Sequence, residues 1–385
     1  MQRFIQVRAG RENGPGKIVG LVVAAGYSSR MGDFKPLLPL GEKTVIETAV
    51  TSLRQGGISD IRVVAGHRAA ELRPVLELHQ VDIIENLDYA QGMFSSVVTG
   101  LKTFAGKADA FLLLPGDCPL IRRYTIRQLV QAYRRLAPAV AYPVFNGLRG
   151  HPPLISGRCY GSILTDPGAA GLRGILDRFA ADAVEVNVAD QGVALDIDTP
   201  DDYKQLQAFY ARQEIPTADE CLAMLHRYQA DDRVMRHGQA VAEVGRRITG
   251  LLNQAGLNLS EELVVAGGLV HDLAKGNPNH SRRGERLITC MGFPALSGII
   301  ASHMDLEFTP EYVLDEAAVV FLADKLVQGD RIVSLSERFK PALTRFADSP
   351  EVISSVLQRQ RTAEAIRDRI GSMLGISSFE AMVVN

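Results

Sequence analysis

The chain has 385 residues, more than a single hydrophobic core usually serves, so two domains are expected. Its 46% hydrophobic and 22% charged residues are ordinary for a soluble globular protein, and a net charge of −2 argues against a nucleic-acid or acidic-membrane surface. Cys118, Cys159, Cys221 and Cys290 form no CxxC pair and no apolar run approaches a membrane span, so buried thiols in a reduced cytoplasmic setting are expected.

Residues 1–17, MQRFIQVRAGRENGPGK, lack the apolar core of a signal peptide and read as a tail. Up to about Tyr210, apolar runs (IVGLVVAAG, IRVVAG, AFLLLPGD, AVAYPV) alternate with helical patterns such as TVIETAVTSLRQGG and YTIRQLVQAYRRL. Near-continuous apolar strands between helices predict a doubly wound α/β domain with a mainly parallel sheet, over residues 18–212. Ligands of such sheets sit beyond the carboxyl ends of the strands.

At the first such end, the run Ile18 to Ala25 stops at Gly26, and a small-residue loop carries Arg30 and Lys35. Small side chains let backbone N–H groups approach an anion, and two cations nearby suit a polyphosphate. No Gly-Lys-Ser/Thr follows Gly32, so this is not a Walker A loop. Asp117, in PGDCPL, follows another apolar strand, where a carboxylate suits Mg²⁺ and a turn-forming Asp is the plainer alternative. The alternation Leu195-Asp196-Ile197-Asp198 reads as a strand end with both aspartates on one face, and Thr199-Pro200 reads as a helix start.

The stretch from Ala24 to Pro39 resembles the AAGxSxRMGxxKxLLP signature of MocA-like nucleotidyltransferases, similar to molybdenum cofactor cytidylyltransferase, at every fixed position. The resemblance spans about Lys17 to Tyr210. It implies that Ala24, Ala25, Gly26 and Ser28 cradle the nucleotide, that Arg30 and Lys35 neutralise its triphosphate, and that Asp117 and Asp198 (Asp196 as alternate) hold Mg²⁺. Gly92, Ser95 and Ser96, in NLDYAQGMFSSVVTGL, would surround base and ribose, with a Ser-capped helix start as the alternative. His151, in RGHPPLI, would line the acceptor pocket or be a turn histidine, and His67 is expected to be structural. Ala24-Ala25-Gly26 follows the cytidylyl branch, which implies CTP as donor and molybdopterin as acceptor, with a molybdoenzyme as a further partner. Two other readings stay open: a sugar, alditol or inositol phosphate acceptor, and a nucleotide-sensing regulatory fusion.

From about Glu214 the texture changes. QEIPTAD marks a linker over 213–220, strand-like runs disappear, and helical patterns fill 221–385, predicting an all-α domain. It carries His237, His271-Asp272, His280, His303 and Asp324, the last inside the almost wholly apolar EAAVVFLADKLV. A carboxylate facing a core needs a cation or several donors, and a metal with imidazole co-ligands supplies one. This order resembles the HD-domain phosphohydrolase superfamily. The resemblance implies that His237, His271, Asp272 and Asp324 bind a divalent transition metal (Mn²⁺, Fe²⁺ or similar), that His280 and His303 serve a second metal or a phosphate, and that Asp272 is catalytic. Lys275 stands where that family often has a basic residue.

Overall fold

A computed structural model describes residues 16–376; most of the predicted tail lies outside the described residues. The chain divides into two compact units. The first takes residues up to Val144 with Leu148–Val186 and Gly192–Leu206, and the second takes the chain from Gln207 with Phe145–Gly147 and Asn187–Gln191.

The first unit is built on one eight-stranded sheet. In spatial order, seven strands are Ala183–Asn187, Val140–Phe145, Leu154–Ser156, Ala110–Pro115, Ile18–Ala24, Asp60–Ala65 and Asp82–Glu85, and Leu148–Arg149 pairs with Val140–Phe145. Ile18–Ala24 runs parallel to Ala110–Pro115 and to Asp60–Ala65, which is parallel to Asp82–Glu85. The sheet is therefore mainly parallel on the side that carries the loops. Leu154–Ser156 runs antiparallel to both of its neighbours, so the other side is mixed. That strand is only three residues long and follows two prolines, too short to show an alternation in the sequence.

Both faces of the sheet are covered. Val19 and Leu21 pack with Val97 and Leu101 of the helix Met93–Lys102, alongside Phe104, Phe111 and Tyr160. Gly100 lets that helix approach: a Cβ there would stand 2.5 Å from Leu21 Cδ1. The opposite face meets the helix Val45–Gln55, whose Leu53 would lie 3.0 Å from a Cβ on Gly20. That helix starts where it does because Thr44 and Glu47 form a capping box, which satisfies two otherwise unpaired amides. Each fully buried Leu or Phe on these faces contributes roughly 1.5–3 kcal/mol.

The second unit is helical, with Ala218–Arg227, Asp232–Gln254, Glu261–Val270, His280–Met291, Ser297–Ser302, Glu316–Lys325, Leu335–Arg345 and Pro350–Leu374 as its α-helices. Contrary to the expectation of no strands, Val327–Gln328 pairs antiparallel with Arg331–Ile332 around Gly329. Asp232–Gln254 and Glu261–Val270 pack almost backbone to backbone. A Cβ on Gly268 would stand 2.6 Å from Ala242 Cα, and one on Gly238 2.6 Å from Leu269 O. Only glycine permits that approach, and it brings His237 and His271, the neighbours of these glycines, within 5.2 Å between ring centres.

Three of the four cysteines are buried as expected, and Cys290 is exposed. Among the described residues no helix is long and apolar enough to cross a membrane.

Candidate functional sites

The first site forms where two parallel strands end side by side. Val23 pairs with Pro115, so the loops beginning at Ala25 and Gly116 leave the sheet together. Gly116 N–H donates to Val23 O at 2.9 Å, and a Cβ there would press on Ala24 Cβ at 3.0 Å. Beyond them lies a cavity of about 320 Å³, lined by Ala24, Ala25, Gly26 and Ser28 with Lys35, Gly92, Ser96 and Asp117. A Cβ added to Gly26 would meet nothing within 4 Å, so its backbone is open to a ligand. Ser28 adopts a left-handed φ of 56°, and its hydroxyl accepts from Lys35 N–H at 3.2 Å, which folds the loop back over the lysine.

Lys35 is buried, and its Nζ lies 2.9 Å from Asp198 Oδ1 and 3.5 Å from Asp117 Oδ2. Arg30 grips the same Asp198 with both terminal nitrogens, at 3.1 and 3.0 Å. Two cations and two carboxylates thus hold one another, with Lys35 and Asp117 at the cavity wall and Arg30 on the solvent side. Burial pushes the Asp117 carboxyl above its usual range, opposed by Lys35, whereas the Lys35 hydrogen bond holds Asp198 below it.

The expected strand at Leu195–Asp198 is absent. A short 3-10 turn, Gln191–Ala194, precedes an irregular segment in which Ile197 N–H donates to Asp117 O at 3.2 Å. That bond holds Ile197, the residue before Asp198, against the Asp117 turn. The chain then turns at once into the helix Pro200–Ala211, because Asp202 accepts from Thr199 N–H at 2.7 Å and from Asp198 N–H at 3.1 Å. Asp196 is exposed and, unlike Asp198, pairs with neither Lys35 nor Arg30, yet its charge still acts on Asp117 and His151.

Gly92 caps the helix Met93–Lys102 with φ 93° and ψ 178°, a conformation essentially reserved for glycine. Buried Asn86 donates to both Ser95 Oγ and Ser96 Oγ at 2.9 Å, yet only Ser96 lines the cavity. Ser95 turns back to Gly92 O at 2.8 Å. His151 does not line the cavity; its Nδ1 is buried without a hydrogen-bond partner, and burial pushes its imidazole down. Sequence reasoning missed Tyr27 and Tyr89, which line the cavity and pack edge-on at 5.4 Å. His67 stacks within the same group, 5.1 Å from Tyr27.

The second site lies inside the helical unit and gathers all six predicted residues. His237 Nδ1–H donates to Gly329 O at 2.8 Å, so the small hairpin orients that ring. His271 Nδ1–H donates to Gly268 O at 2.8 Å, and His303 Nδ1–H to Ile300 O at 2.7 Å. With each Nδ1 donating to a carbonyl, each Nε2 is the ring nitrogen directed at the neighbouring carboxylates and the one left to ligate an ion. His237 Nε2 is 3.1 Å from Asp324 Oδ1, and His271 Nε2 lies 3.7 Å from the same oxygen. His280 Nε2 and His303 Nε2 face each other at 3.2 Å, with Asp272 Oδ1 at 3.6 and 3.7 Å.

Two trios could hold ions: His237, His271 and Asp272; and Asp272, His280 and His303. Buried His271 Nε2 has no hydrogen-bond partner, which a neighbouring cation would satisfy. The donor set of imidazoles and carboxylates suits a divalent transition metal. Burial pushes His271 down to about 4, keeping it neutral and ready to ligate. Against the upward push of burial, the hydrogen bonds of His303 and Lys275 hold Asp272 below its ordinary range, and the Lys325 charge and the His237 hydrogen bond do the same for Asp324. Lys275 pairs with Asp272 Oδ2 from the surface. Lys325, which sequence reasoning passed over, is buried against Asp324. Its signal was there: a lysine directly after Asp324 in LADKLV, an otherwise apolar helix end.

Known proteins agree with this division. Residues 20–185 match the MobA-like NTP transferase domain, and residues 234–328 match the HD domain. The chain is 33% identical over 184 residues to the molybdenum cofactor cytidylyltransferase of Escherichia coli (strain K12), covering 48% of this chain and 92% of that one. It is 28% identical over 190 residues to the nicotine blue oxidoreductase of Paenarthrobacter nicotinovorans, covering 47% of this chain and 92% of that one. The crystal structure of a Mycobacterium tuberculosis rv0371c homologue from mycobacterium sp. strain JC1 is 29% identical, covers 51% of this chain and 98% of its own, and superposes with a TM-score of 0.45. The chain belongs to the MobA-like NTP transferase family: it is a nucleotidyltransferase fused to an HD domain.

Proposed function

We propose that the first unit transfers CMP from CTP to the phosphate of molybdopterin. An acceptor phosphate oxygen attacks the α-phosphorus, the bond to the β-phosphate breaks, and pyrophosphate leaves. The backbone from Gly26 to Ser28 receives the triphosphate, while Ala24, Ala25, Gly92 and Ser96 surround base and ribose, with Ser95 steadying that turn. Arg30 and Lys35 exchange their present hold on Asp198 for phosphate oxygens. Asp117 and Asp198 are the residues that would hold Mg²⁺, which would supply positive charge to offset that of the phosphate oxygens. His151, outside the lining of the nucleotide cavity, is the residue proposed for the acceptor side.

The observation that carries this reading is the Lys35 ammonium fixed between Asp117 and Asp198 on the cavity wall. The base preference rests on Ala24-Ala25-Gly26 and on likeness to the Escherichia coli cytidylyltransferase. Pyrophosphate release measured with CTP, GTP and ATP, each with molybdopterin, tests it. Turnover with GTP equal to CTP overturns the base, and turnover only with a sugar, alditol or inositol phosphate overturns the acceptor.

For the second unit we propose hydrolysis of a phosphoester at a centre of two divalent ions, Mn²⁺ or Fe²⁺. Residues 213–220 serve as the working boundary between the modules. His237, His271, Asp272 and Asp324 hold the first ion, and Asp272, His280 and His303 the second. Such ions supply Lewis acidity towards phosphoryl oxygens and a lowered pKa for water. Asp272 presents one oxygen to each side, and the carbonyls of Gly329, Gly268 and Ile300 keep the imidazoles aimed. A phosphatase substrate screen with elemental analysis of the purified chain checks this; a metal-independent hydrolysis contradicts it.

A further inference from the structure

We infer that Lys325 is a positioning residue that ties Asp324, the carboxylate beside His237 and His271, to His303 of the second ion-binding trio. The inference rests on the two-ion reading above. Lys325 is 4% exposed. Its ammonium donates to Asp324 Oδ2 at 2.6 Å and to His303 O at 2.8 Å, and lies 4.4 Å from the Phe321 ring centre. Asp324 belongs with His237 and His271, whereas His303 belongs with Asp272 and His280. One buried group therefore bonds to both sides of the centre without occupying any imidazole nitrogen.

Two consequences follow from chemistry. Because Lys325 occupies Oδ2, Asp324 offers its other oxygen to His237 and His271, so its orientation is set before an ion arrives. Holding the His303 carbonyl fixes that residue's backbone, while Ile300 O fixes its ring, and together they place Nε2 opposite His280. A neutral donor cannot do both tasks, since the buried Asp324 carboxylate then lacks its countercharge. Lys275 is the instructive contrast. It pairs with Asp272 Oδ2, but its side chain is 52% exposed, so it can swing away when a metal takes its place. Lys325 has no such exit.

The test uses the full-length chain, stripped with EDTA and titrated with Mn²⁺ alone. Free ion is read by electron paramagnetic resonance, folding by far-ultraviolet circular dichroism, and pair formation by the spin-coupled Mn–Mn signal. Wild-type protein is expected to take up two ions and show the coupled signal. Lys325→Met is expected to stay folded, bind the second ion about tenfold or more weakly, and lose the coupled signal, as removal of an outer partner does elsewhere. Should Lys325→Met fail to fold, Lys325→Gln carries the same test, because it also removes the countercharge that faces Asp324. Lys275→Met is expected to retain both ions.

Two ions at wild-type affinity in a folded Lys325 variant overturn the tether and leave the two-ion reading standing. Equal loss in Lys275→Met overturns it too, since any nearby charge would then suffice. A wild-type protein that binds one ion contradicts the two-ion reading itself, and the inference falls with it.

Discussion

In the transferase site the charged side chains stand at a cavity wall and neutralise one another, with Arg30 reaching into solvent. In the HD site the carboxylates are sunk among helices and depend on imidazoles and on Lys325 for company. The first arrangement can rearrange when a triphosphate arrives, because Arg30 is largely exposed and its pair with Asp198 is partly hydrated. The second is fixed in advance, since an unpaired buried carboxylate there would be strongly destabilising. One site recruits charge with its substrate; the other is built around a charge it must always hold.

The largest effect that would break this comparison is at Lys35. Lys35→Ala should lower CMP transfer by about 10²–10³-fold, the usual cost of removing one preorganised charge donor, and leave hydrolysis by the second unit unchanged. Steady-state rates for both activities decide it. A loss in both would mean that the two sites do not act separately.

Gly92→Ala comes next. At φ 93° and ψ 178° the substitution should cost about 1–3 kcal/mol of stability in the first unit, although a Cβ there meets no atom within 4 Å. Denaturant unfolding of the full chain reads this as an earlier transition for one unit only. Gly26→Ala sharpens the contrast between strain and access. Its Cβ also meets nothing within 4 Å, so unfolding should move by no more than about 0.5 kcal/mol. KM for CTP should nevertheless rise, because the methyl group enters the space the phosphates need.

The mildest perturbation is pH, and it should touch the two sites unequally. In metal-free protein the neutral His271 is pushed from 6.5 down to about 4 by burial. The unfolded state then binds more protons between those values, so stability falls as pH drops from about 6.5 towards 4 and is retained above it. Melting curves in EDTA should show the helical unit losing stability across that window. No change there would contradict a buried neutral His271.

Much of this was legible in the sequence, for identifiable reasons. The apolar strands and the Ala24-to-Pro39 signature are local patterns, and the His-Asp series stood out because charge is rare on apolar helices. Leu195–Asp198 misled because its alternation mimics a strand, while one bond from Ile197 N–H to Asp117 O and the Thr199–Asp202 cap decide its path. Tyr27 and Tyr89 were invisible as cavity residues because they lie far apart in sequence and meet only in the fold. Ser95 and Ser96 looked equivalent; Asn86 binds both, and only the helix turn separates their roles.

The most direct test compares Asp117→Ala and Asp272→Ala in paired assays of pyrophosphate release from CTP and of metal-dependent phosphoester hydrolysis. Asp117→Ala should lose the first activity and keep the second, and Asp272→Ala should do the reverse. Full retention of pyrophosphate release by Asp117→Ala, or of hydrolysis by Asp272→Ala, would contradict the account.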